Sequence, residues 1–189
     1  LRPEIPVHLV NHARSNARFQ NDGVDEIFQT VLQSVRPDIV HFGHLNHLSM
    51  GLPTIVKEAG LPVVFTLHDF LFMCPRGQFL QWGLSHTSPW TLCDGQDDKK
   101  CALKCFNRFL EGMDIERELQ YWENWISTRM SVSRNASKMV DLFLAPSRRL
   151  MQRHINEFGI EESRIKYLDY GFDHSRLDGR IREQEDSFV

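Results

Sequence analysis

The chain lacks several features that would place it in a special functional class. No apolar run approaches the ~20 residues that a membrane-spanning helix needs, and no secretory signal peptide opens the sequence. Basic residues are not in excess, because 22 lysines and arginines stand against 25 aspartates and glutamates, whereas nucleic-acid-binding domains usually carry a basic surplus. We therefore expect a cytoplasmic protein without a transmembrane segment and without a nucleic-acid partner.

What is present indicates a globular protein of modest size. The 189 residues are 41% hydrophobic and 25% charged, which is typical of soluble domains. This length suits one domain with a real core, or at most two small ones. The sequence begins with Leu1 rather than Met and ends at Phe188-Val189, where an apolar run starts. We expect an excised fragment of a longer protein.

Helical and strand-like segments alternate along the chain. Apolar residues recur at helical spacing from Val24 to Val35, with Asp22 as the expected cap and Pro37 as the stop. The predicted helices cover residues 24–35, 48–59, 113–139 and 147–158, and the predicted strands cover 38–42, 61–67, 140–145 and 164–168. This alternation predicts an α/β fold, with a Rossmann-like parallel sheet, right-handed crossovers and helices on both faces.

The most informative stretch is the apolar run that begins at Val63 and ends abruptly in His68-Asp69. In open parallel sheets, ligands bind at the carboxyl ends of the strands. An imidazole at such a strand end can donate a hydrogen bond to developing negative charge; a structural histidine bonded to backbone is the alternative. Asp69 is expected to orient His68 or to cap the next turn.

Three histidines, His41, His44 and His47, lie across the end of the preceding predicted strand and the following loop, at a spacing that could bind a metal. Successive strand residues point to opposite faces, however, so these imidazoles need not converge. A metal-dependent hydrolase is therefore an alternative function, and it would use His41, His44, His68, Asp69 and Asp173.

Residues 70–109 interrupt the alternation with an insertion of little periodicity. It contains all four cysteines of the chain, spaced C-x18-C-x7-C-x3-C: Cys74, Cys93, Cys101 and Cys105. They could hold a structural zinc, form two disulfides or stay free, and the cytosolic character of the chain favours thiolates. A zinc-stapled interaction module without catalysis is the third functional hypothesis, although its near-balanced charge does not suit nucleic acid.

Ser147, Arg148 and Arg149 open a predicted helix. Helix N-terminal amides together with a guanidinium make a phosphate site, and a plain N-cap with solvated arginines is the alternative.

Five ordered pieces of the sequence resemble the retaining glycosyltransferases of the GT-B fold, family 4. Each piece alone is weak, but they occur in the order of the family and at about its spacing, over residues 24–174. The pieces are Arg36-Pro-Asp-Ile-Val-His41, Leu61-Pro-Val-Val-Phe-Thr-Leu-His-Asp69, Cys74-Pro-Arg-Gly77, Leu144-Ala-Pro-Ser-Arg148 and Tyr170-Gly-Phe-Asp173.

This resemblance implies a nucleotide-sugar-dependent transferase with two Rossmann-like domains and an active site in the cleft between them. Residues 1–175 would form part of the N-terminal, acceptor-side domain, and residues 176–189 a linker toward a C-terminal donor-binding domain. The implied reaction moves a hexose from a nucleotide-diphosphate sugar to a glycan, lipid-linked or small-molecule acceptor in carbohydrate biosynthesis. The implied location is the cytoplasm, with peripheral contact at the inner membrane face.

The resemblance also implies roles for individual residues. His68 would lie against the donor sugar and support the departing diphosphate, with Asp69 beside it in the catalytic set. The implied substrate-binding residues are His44, Asn46, Arg76, Gly77, Ser147, Arg148, Tyr170 and Gly171.

The sequence departs from the family pattern in two ways. No Gly-Gly pair occurs, so the glycine-rich loop of the family is absent, and no glutamate is followed eight positions later by another, so the Glu-x7-Glu donor motif is absent. We therefore expect the fragment to be inactive alone.

Overall fold

The computed structural model describes residues 5–11, 19–85, 88–106 and 114–171. Strands and helices alternate along these segments, as the sequence pattern predicts. In chain order they are α1 (Asp22–Val35), β1 (Val40–Phe42), α2 (Leu52–Glu58), β2 (Val63–Thr66), β3 (Leu80–Ser85), β4 (Ser88–Leu92), α3 (Asp98–Cys105), α4 (Ile115–Lys138), β5 (Leu142–Ala145), α5 (Arg148–Arg153) and β6 (Ile165–Tyr167). A π-helical turn, His154–Phe158, continues α5.

Four strands form one parallel sheet in the order β1-β2-β5-β6. Its register pairs Val40 with Val63 and Val64 with Leu142, and β6 completes the sheet beside β5. Helices flank the sheet. Two parallel strands must be joined by a crossover connection, which is usually a helix, and that helix covers the apolar face of the sheet. The predicted α/β, Rossmann-like fold is confirmed.

The core lies around the two central strands. Phe65 of β2 and Phe143 of β5 are 2% and 0% exposed, and their rings lie 6.1 Å apart. Val56 of α2 and Ile126 of α4 are fully buried in the same cluster. Burial of each such side chain contributes roughly 1.5–3 kcal/mol, so these apolar contacts hold the helices on the sheet.

Two predicted helix starts are wrong, for local reasons. The N-cap of α1 is Asn21 rather than Asp22, because the Asn21 side chain accepts the Val24 amide at 3.2 Å. Helix α2 begins at Leu52 rather than near residue 48. The preceding residues form turns instead, and Pro53 occupies the first turn of the helix, where its missing N–H costs nothing.

The insertion contains more regular structure than its lack of periodicity predicts. Strands β3 and β4 form an antiparallel hairpin, and α3 follows with Asp97 as its N-cap. A hairpin between neighbouring segments satisfies its backbone hydrogen bonds locally, so it can form without a periodic apolar pattern. Residues 86–87 and 107–109 of the predicted insertion lie outside the described residues.

Helix α4 fixes the turn that follows β2. The Ser133 hydroxyl donates to the Phe72 carbonyl at 2.7 Å, and Nη2 of Arg129 donates to the Leu71 carbonyl at 2.8 Å. Both donor residues are buried, at 0% and 3% exposure. Since an unpaired buried polar group costs about 1–3 kcal/mol, these bonds hold the start of the insertion against the domain.

Asp141 joins the amino ends of the central strands, and its removal is a test of the sheet. Its Oδ2 accepts the Val63 amide at 2.7 Å, and Nζ of Lys57 donates to its Oδ1 at 2.9 Å. Burial alone would raise the pKa of Asp141, but the bonds from Lys57 and Val63 outweigh it and hold the pKa below its usual value.

We expect Asp141→Ala to lower the free energy of unfolding by about 1–2 kcal/mol at neutral pH, measured by urea denaturation.

The sign of the pH dependence follows from the lowered pKa. The stabilisation by Asp141 is present above the unfolded-state pKa and is lost as pH falls through the folded-state value, so the difference between wild type and Asp141→Ala shrinks in acid. Lys57→Met is the control, because it removes only a partly exposed ion pair worth about 0–1 kcal/mol. Equal, small losses in both variants at neutral pH would contradict the role of the backbone bond.

Candidate active site

The carboxyl ends of the four parallel strands meet at one edge of the sheet. The segment after β1 carries His44, the segment after β2 carries His68 and Asp69, and the segments after β5 and β6 carry Ser147 and Tyr170. Most of the residues predicted to bind substrate therefore belong to loops at the edge where α/β sheets bind ligands.

His68 is exposed at this edge and is held by Tyr170. Its Nδ1 lies 2.5 Å from the Tyr170 hydroxyl oxygen, and the two rings are nearly parallel, with centroids 5.6 Å apart and 6° between their planes. The other ring nitrogen, Nε2, lies over Gly43, where an added Cβ would sit 3.9 Å away. The ring is not sealed in the core, so Nε2 can reach a ligand.

Asp69 binds His44 and the next turn rather than His68. Its Oδ1 accepts the Leu71 amide at 2.8 Å, which confirms that it caps the turn. Its Oδ2 lies 3.2 Å from Nε2 of His44. Because Nδ1 of His44 accepts the Asn46 amide at 2.8 Å, the ring proton of the neutral imidazole is on Nε2 and points at Asp69.

The turn after β2 returns to Asp69 through Gly77. The Phe70 amide donates to the Gly77 carbonyl at 3.0 Å, and the Gly77 amide donates to the Cys74 carbonyl at 2.9 Å. Gly77 has a φ of 76°, and an added Cβ would lie 3.2 Å from Oδ2 of Asp69. Glycine is thus required here both by backbone conformation and by the close approach to the carboxylate.

The other histidines of the predicted metal set have separate partners. Nε2 of His41 lies 2.7 Å from the Thr66 hydroxyl, whereas His44 binds Asp69 and His68 binds Tyr170. Across the described residues, no three histidine, cysteine, aspartate or glutamate side chains are grouped so that they could hold a metal ion. Asp173, the fifth member of the hydrolase set, lies outside the described residues.

The predicted phosphate-binding residues on α5 are used locally. The Ser147 hydroxyl caps the helix by accepting the Leu150 amide at 3.1 Å, and the Arg148 guanidinium lies 4.7 Å from the centre of the Tyr167 ring. Gly171 is exposed, and an added Cβ there would meet nothing within 4 Å. The side chain of Asn46 is exposed as well, and only its backbone amide bonds His44.

Arg76 and the four cysteines belong to the insertion. Nη1 of Arg76 donates to the Leu80 carbonyl at 3.3 Å, and its guanidinium lies 5.4 Å from the centre of the Trp90 ring. Arg76 lines a cavity together with Cys74, Cys93, Cys101 and Cys105. Its present contacts therefore fix it in the insertion rather than at the His68 edge.

The four thiols at this cavity are free. No disulfide joins the four cysteines, all of which are described. Burial raises the pKa of Cys101 to about 12, and burial also raises the pKa of Cys105, against the effect of a hydrogen bond from Arg76. Such thiols are poor nucleophiles, because the thiolate is the reactive form.

Sequence patterns did not predict the roles of Thr66 and Gly43 at this edge. Thr66 is the last residue of β2 and holds His41, and Gly43 follows β1 close to Nε2 of His68. Only their positions at strand ends could have indicated a role in the site. Their contacts depend on the pairing of β1 with β2, which the sequence pattern does not specify.

The comparison with known families agrees with this architecture. The sequence model of Glycosyltransferase Family 4 matches residues 6–176. The chain belongs to Glycosyltransferase Family 4. No match was found among curated proteins or among solved structures.

Membership of Glycosyltransferase Family 4 supports a glycosyltransferase-like function, with a nucleotide-sugar donor and a sugar acceptor in general terms. None of the helices in the described part of the chain is long and apolar enough to cross a membrane.

Substitution of two glycines that share a backbone conformation distinguishes the free-energy cost of backbone strain from the cost of contact with Asp69. Gly60 and Gly77 have φ angles of 75° and 76°, but an added Cβ meets nothing within 4 Å at Gly60. We expect Gly60→Ala to cost about 1 kcal/mol of unfolding free energy from backbone strain alone. Gly77→Ala should cost about 1 kcal/mol more, because the methyl group also displaces Asp69. Urea denaturation measures both losses, and an equal loss at the two sites would show that Asp69 is not packed against Gly77.

Proposed function

We propose that this chain is the acceptor-side domain of a retaining glycosyltransferase that moves a hexose from a nucleotide-diphosphate sugar to a glycan, lipid-linked or small-molecule acceptor. Residues 1–175 form that domain, and residues 176–189 lead to a C-terminal donor-binding domain of the parent protein. The parent acts in the cytoplasm, with peripheral contact at the inner membrane face, and this domain alone is inactive.

The observation that carries the proposal is the exposed imidazole of His68 at the carboxyl edge of a parallel sheet. A ligand that binds this edge meets Nε2, since Nδ1 is already bonded to Tyr170. A hydrogen-bond donor at that place stabilises the negative charge that develops on a departing diphosphate. The leaving phosphate itself serves as the base that activates the acceptor hydroxyl, so no protein carboxylate has to attack the sugar.

Tyr170 is the positioning residue of this mechanism. When its hydroxyl donates to Nδ1 of His68, the ring proton of the neutral imidazole resides on Nε2. The parallel contact of the two rings restrains rotation of the imidazole, so the N–H keeps its direction toward the ligand. Loss of the hydroxyl removes the tautomer preference and leaves most of the ring contact.

Asp69 also acts by position in this proposal. Both of its oxygens are engaged, by the Leu71 amide and by His44. A carboxylate with two donors is held in place and is a weaker nucleophile than a free one. It fixes the His44 loop beside His68, and His44 and Asn46 then offer polar groups to the acceptor.

No observation favours the two alternative functions. A metal-dependent hydrolase would need converging imidazoles, whereas His41, His44 and His68 each bind a different partner. An interaction module without catalysis does not account for an exposed histidine held at the ligand-binding edge of the sheet.

The transferase proposal is tested by turnover of a nucleotide sugar in the full-length parent. We expect His68→Ala to lower kcat by about 10²–10³-fold, the usual effect of losing one preorganised donor. Tyr170→Phe should lower kcat less, because the imidazole remains. His8→Ala, an exposed histidine remote in sequence from the edge, is the control and should keep the wild-type rate. An unchanged rate in His68→Ala would remove His68 from the mechanism.

The tautomer of His68 is tested independently of turnover. We expect ¹⁵N imidazole spectra of this chain near neutral pH to show His68 with its proton on Nε2, and Tyr170→Phe to give a mixture of tautomers. Tyr167→Phe is the matched control, because its hydroxyl bonds Asp169 instead and the His68 signals should not move. A wild-type His68 protonated on Nδ1 would contradict the positioning role of Tyr170.

A further inference from the structure

Four cysteines from three separate stretches of the insertion line one cavity. Cys74 lies in the turn after β2, Cys93 follows β4, and Cys101 and Cys105 belong to α3. The cavity has a volume of about 10 Å³, roughly the space that one water-sized sphere needs. Packing alone does not explain why every cysteine of the chain lines this cavity, because other small apolar side chains would fill the same space.

The local backbone suits metal-binding cysteines. Cys101 and Cys105 are four residues apart on a helix and therefore share a face. Cys74 precedes a tight turn closed by the Gly77 amide, which donates to the Cys74 carbonyl at 2.9 Å. Sγ of Cys93 lies 3.0 Å from the Gly95 carbonyl oxygen and acts there as a thiol donor, a bond that a metal would replace.

The charges around the cavity fit an anionic centre. Arg129 is 3% exposed, and its guanidinium donates to the Leu71 carbonyl and to Sδ of Met130, which are both neutral. Within the described residues it forms no ion pair. Burial lowers the pKa of Arg129 to about 10, and the first group whose charge opposes that shift is Cys74. The charge of Asp69 opposes the shift as well. A buried cation is stabilised by nearby anions, so negative charge at the sulfurs would add to that of Asp69.

Other cations lie near the same cavity, and Arg76 lines it. Lys100 directly precedes Cys101 and pairs with Asp94, which follows Cys93. The Arg153 guanidinium pairs with Glu157 and lies 4.0 Å from the centre of the Phe79 ring, which lines the cavity. Arg76 bonds Cys105. Four neutral thiols would contribute little electrostatic stabilisation to these cations. One Zn²⁺ with four thiolates has a net charge of −2 and would stabilise them.

We propose that Cys74, Cys93, Cys101 and Cys105 bind one structural zinc ion as a tetrathiolate site. Each thiol gives up its proton to solvent and its sulfur bonds the metal, with no change of oxidation state. The sulfurs must close from the cavity wall to about 2.3 Å from the ion, because the described side chains are not grouped tightly enough to hold a metal as they stand. Four soft ligands in a closed shell favour zinc and leave no open position for catalysis.

The zinc would fix the insertion to the active-site turn. Cys74 precedes Gly77, whose carbonyl accepts the Phe70 amide beside Asp69. A metal that holds Cys74 to the hairpin and to α3 therefore limits movement of the turn that carries Asp69. This inference concerns the metal only and stands whether or not the chain transfers sugar.

Metal analysis of the purified chain tests the site. We expect about one equivalent of zinc per wild-type chain, and a loss of at least about 90% of it in the double variant Cys101→Ser, Cys105→Ser. Added Co²⁺ should give thiolate-to-metal charge-transfer absorption in the wild type, a readout that does not depend on the folding of a variant. The control is the double variant His41→Ala, His44→Ala, which should keep its zinc.

Three results would overturn the site. The folded wild-type chain could contain no zinc and give no cobalt–thiolate absorption. The double cysteine variant could retain its zinc. The native mass could show disulfides in place of metal. Iron in place of zinc would contradict the identity of the metal. None of these results affects the His68 assignment, which is tested by turnover.

Discussion

Parallel pairing of four short strands is the constraint on which the rest of the structure depends. It brings the segments after β1, β2, β5 and β6 to one edge, where His68 meets Tyr170 and His44 meets Asp69. A slip of one residue between neighbouring strands would turn each side chain to the other face. The buried aromatic residues of β2 and β5 prevent such a slip, because it would bring Phe65 and Phe143 out of the core.

The turn after β2 connects the core, the candidate site and the insertion. At one end, Asp69 caps the turn and holds His44. In the middle, Arg129 and Ser133 bind the carbonyls of Leu71 and Phe72 from α4. At the far end, Cys74 faces the cavity of the cysteines. The same few residues thus satisfy buried backbone groups, orient a polar side chain and link the insertion to the sheet.

Much of the fold could be predicted from the sequence, because helical periodicity and apolar runs depend on local composition. The strands of the parallel sheet and the helices α1 and α4 are found within a few residues of their predicted bounds. The hairpin β3–β4 was not predicted, since its residues show no periodic apolar pattern that would mark two strands. The cap at Asn21 was missed for a related reason: Asp22 is an equally good capping residue, and only geometry distinguishes them.

The candidate site could be predicted in its position but not in its contacts. A polar pair after an apolar run marked His68 and Asp69, yet the partner of His68 is Tyr170, 102 residues away in sequence. Likewise, nothing in the sequence shows that Asp69 binds His44 rather than His68, or that Arg76 lies against the hairpin. Such contacts depend on which strands are neighbours, and the family resemblance supplied roles for these residues without supplying their partners.

A crystal structure of the full-length parent with a nucleotide-diphosphate sugar would test the central claim most directly. We expect the sugar diphosphate to lie at the carboxyl edge of the sheet, with Nε2 of His68 within about 3.2 Å of a sugar or phosphate oxygen and Tyr170 still bonded to Nδ1. A donor bound away from this edge, with no ligand atom near His68, would contradict it.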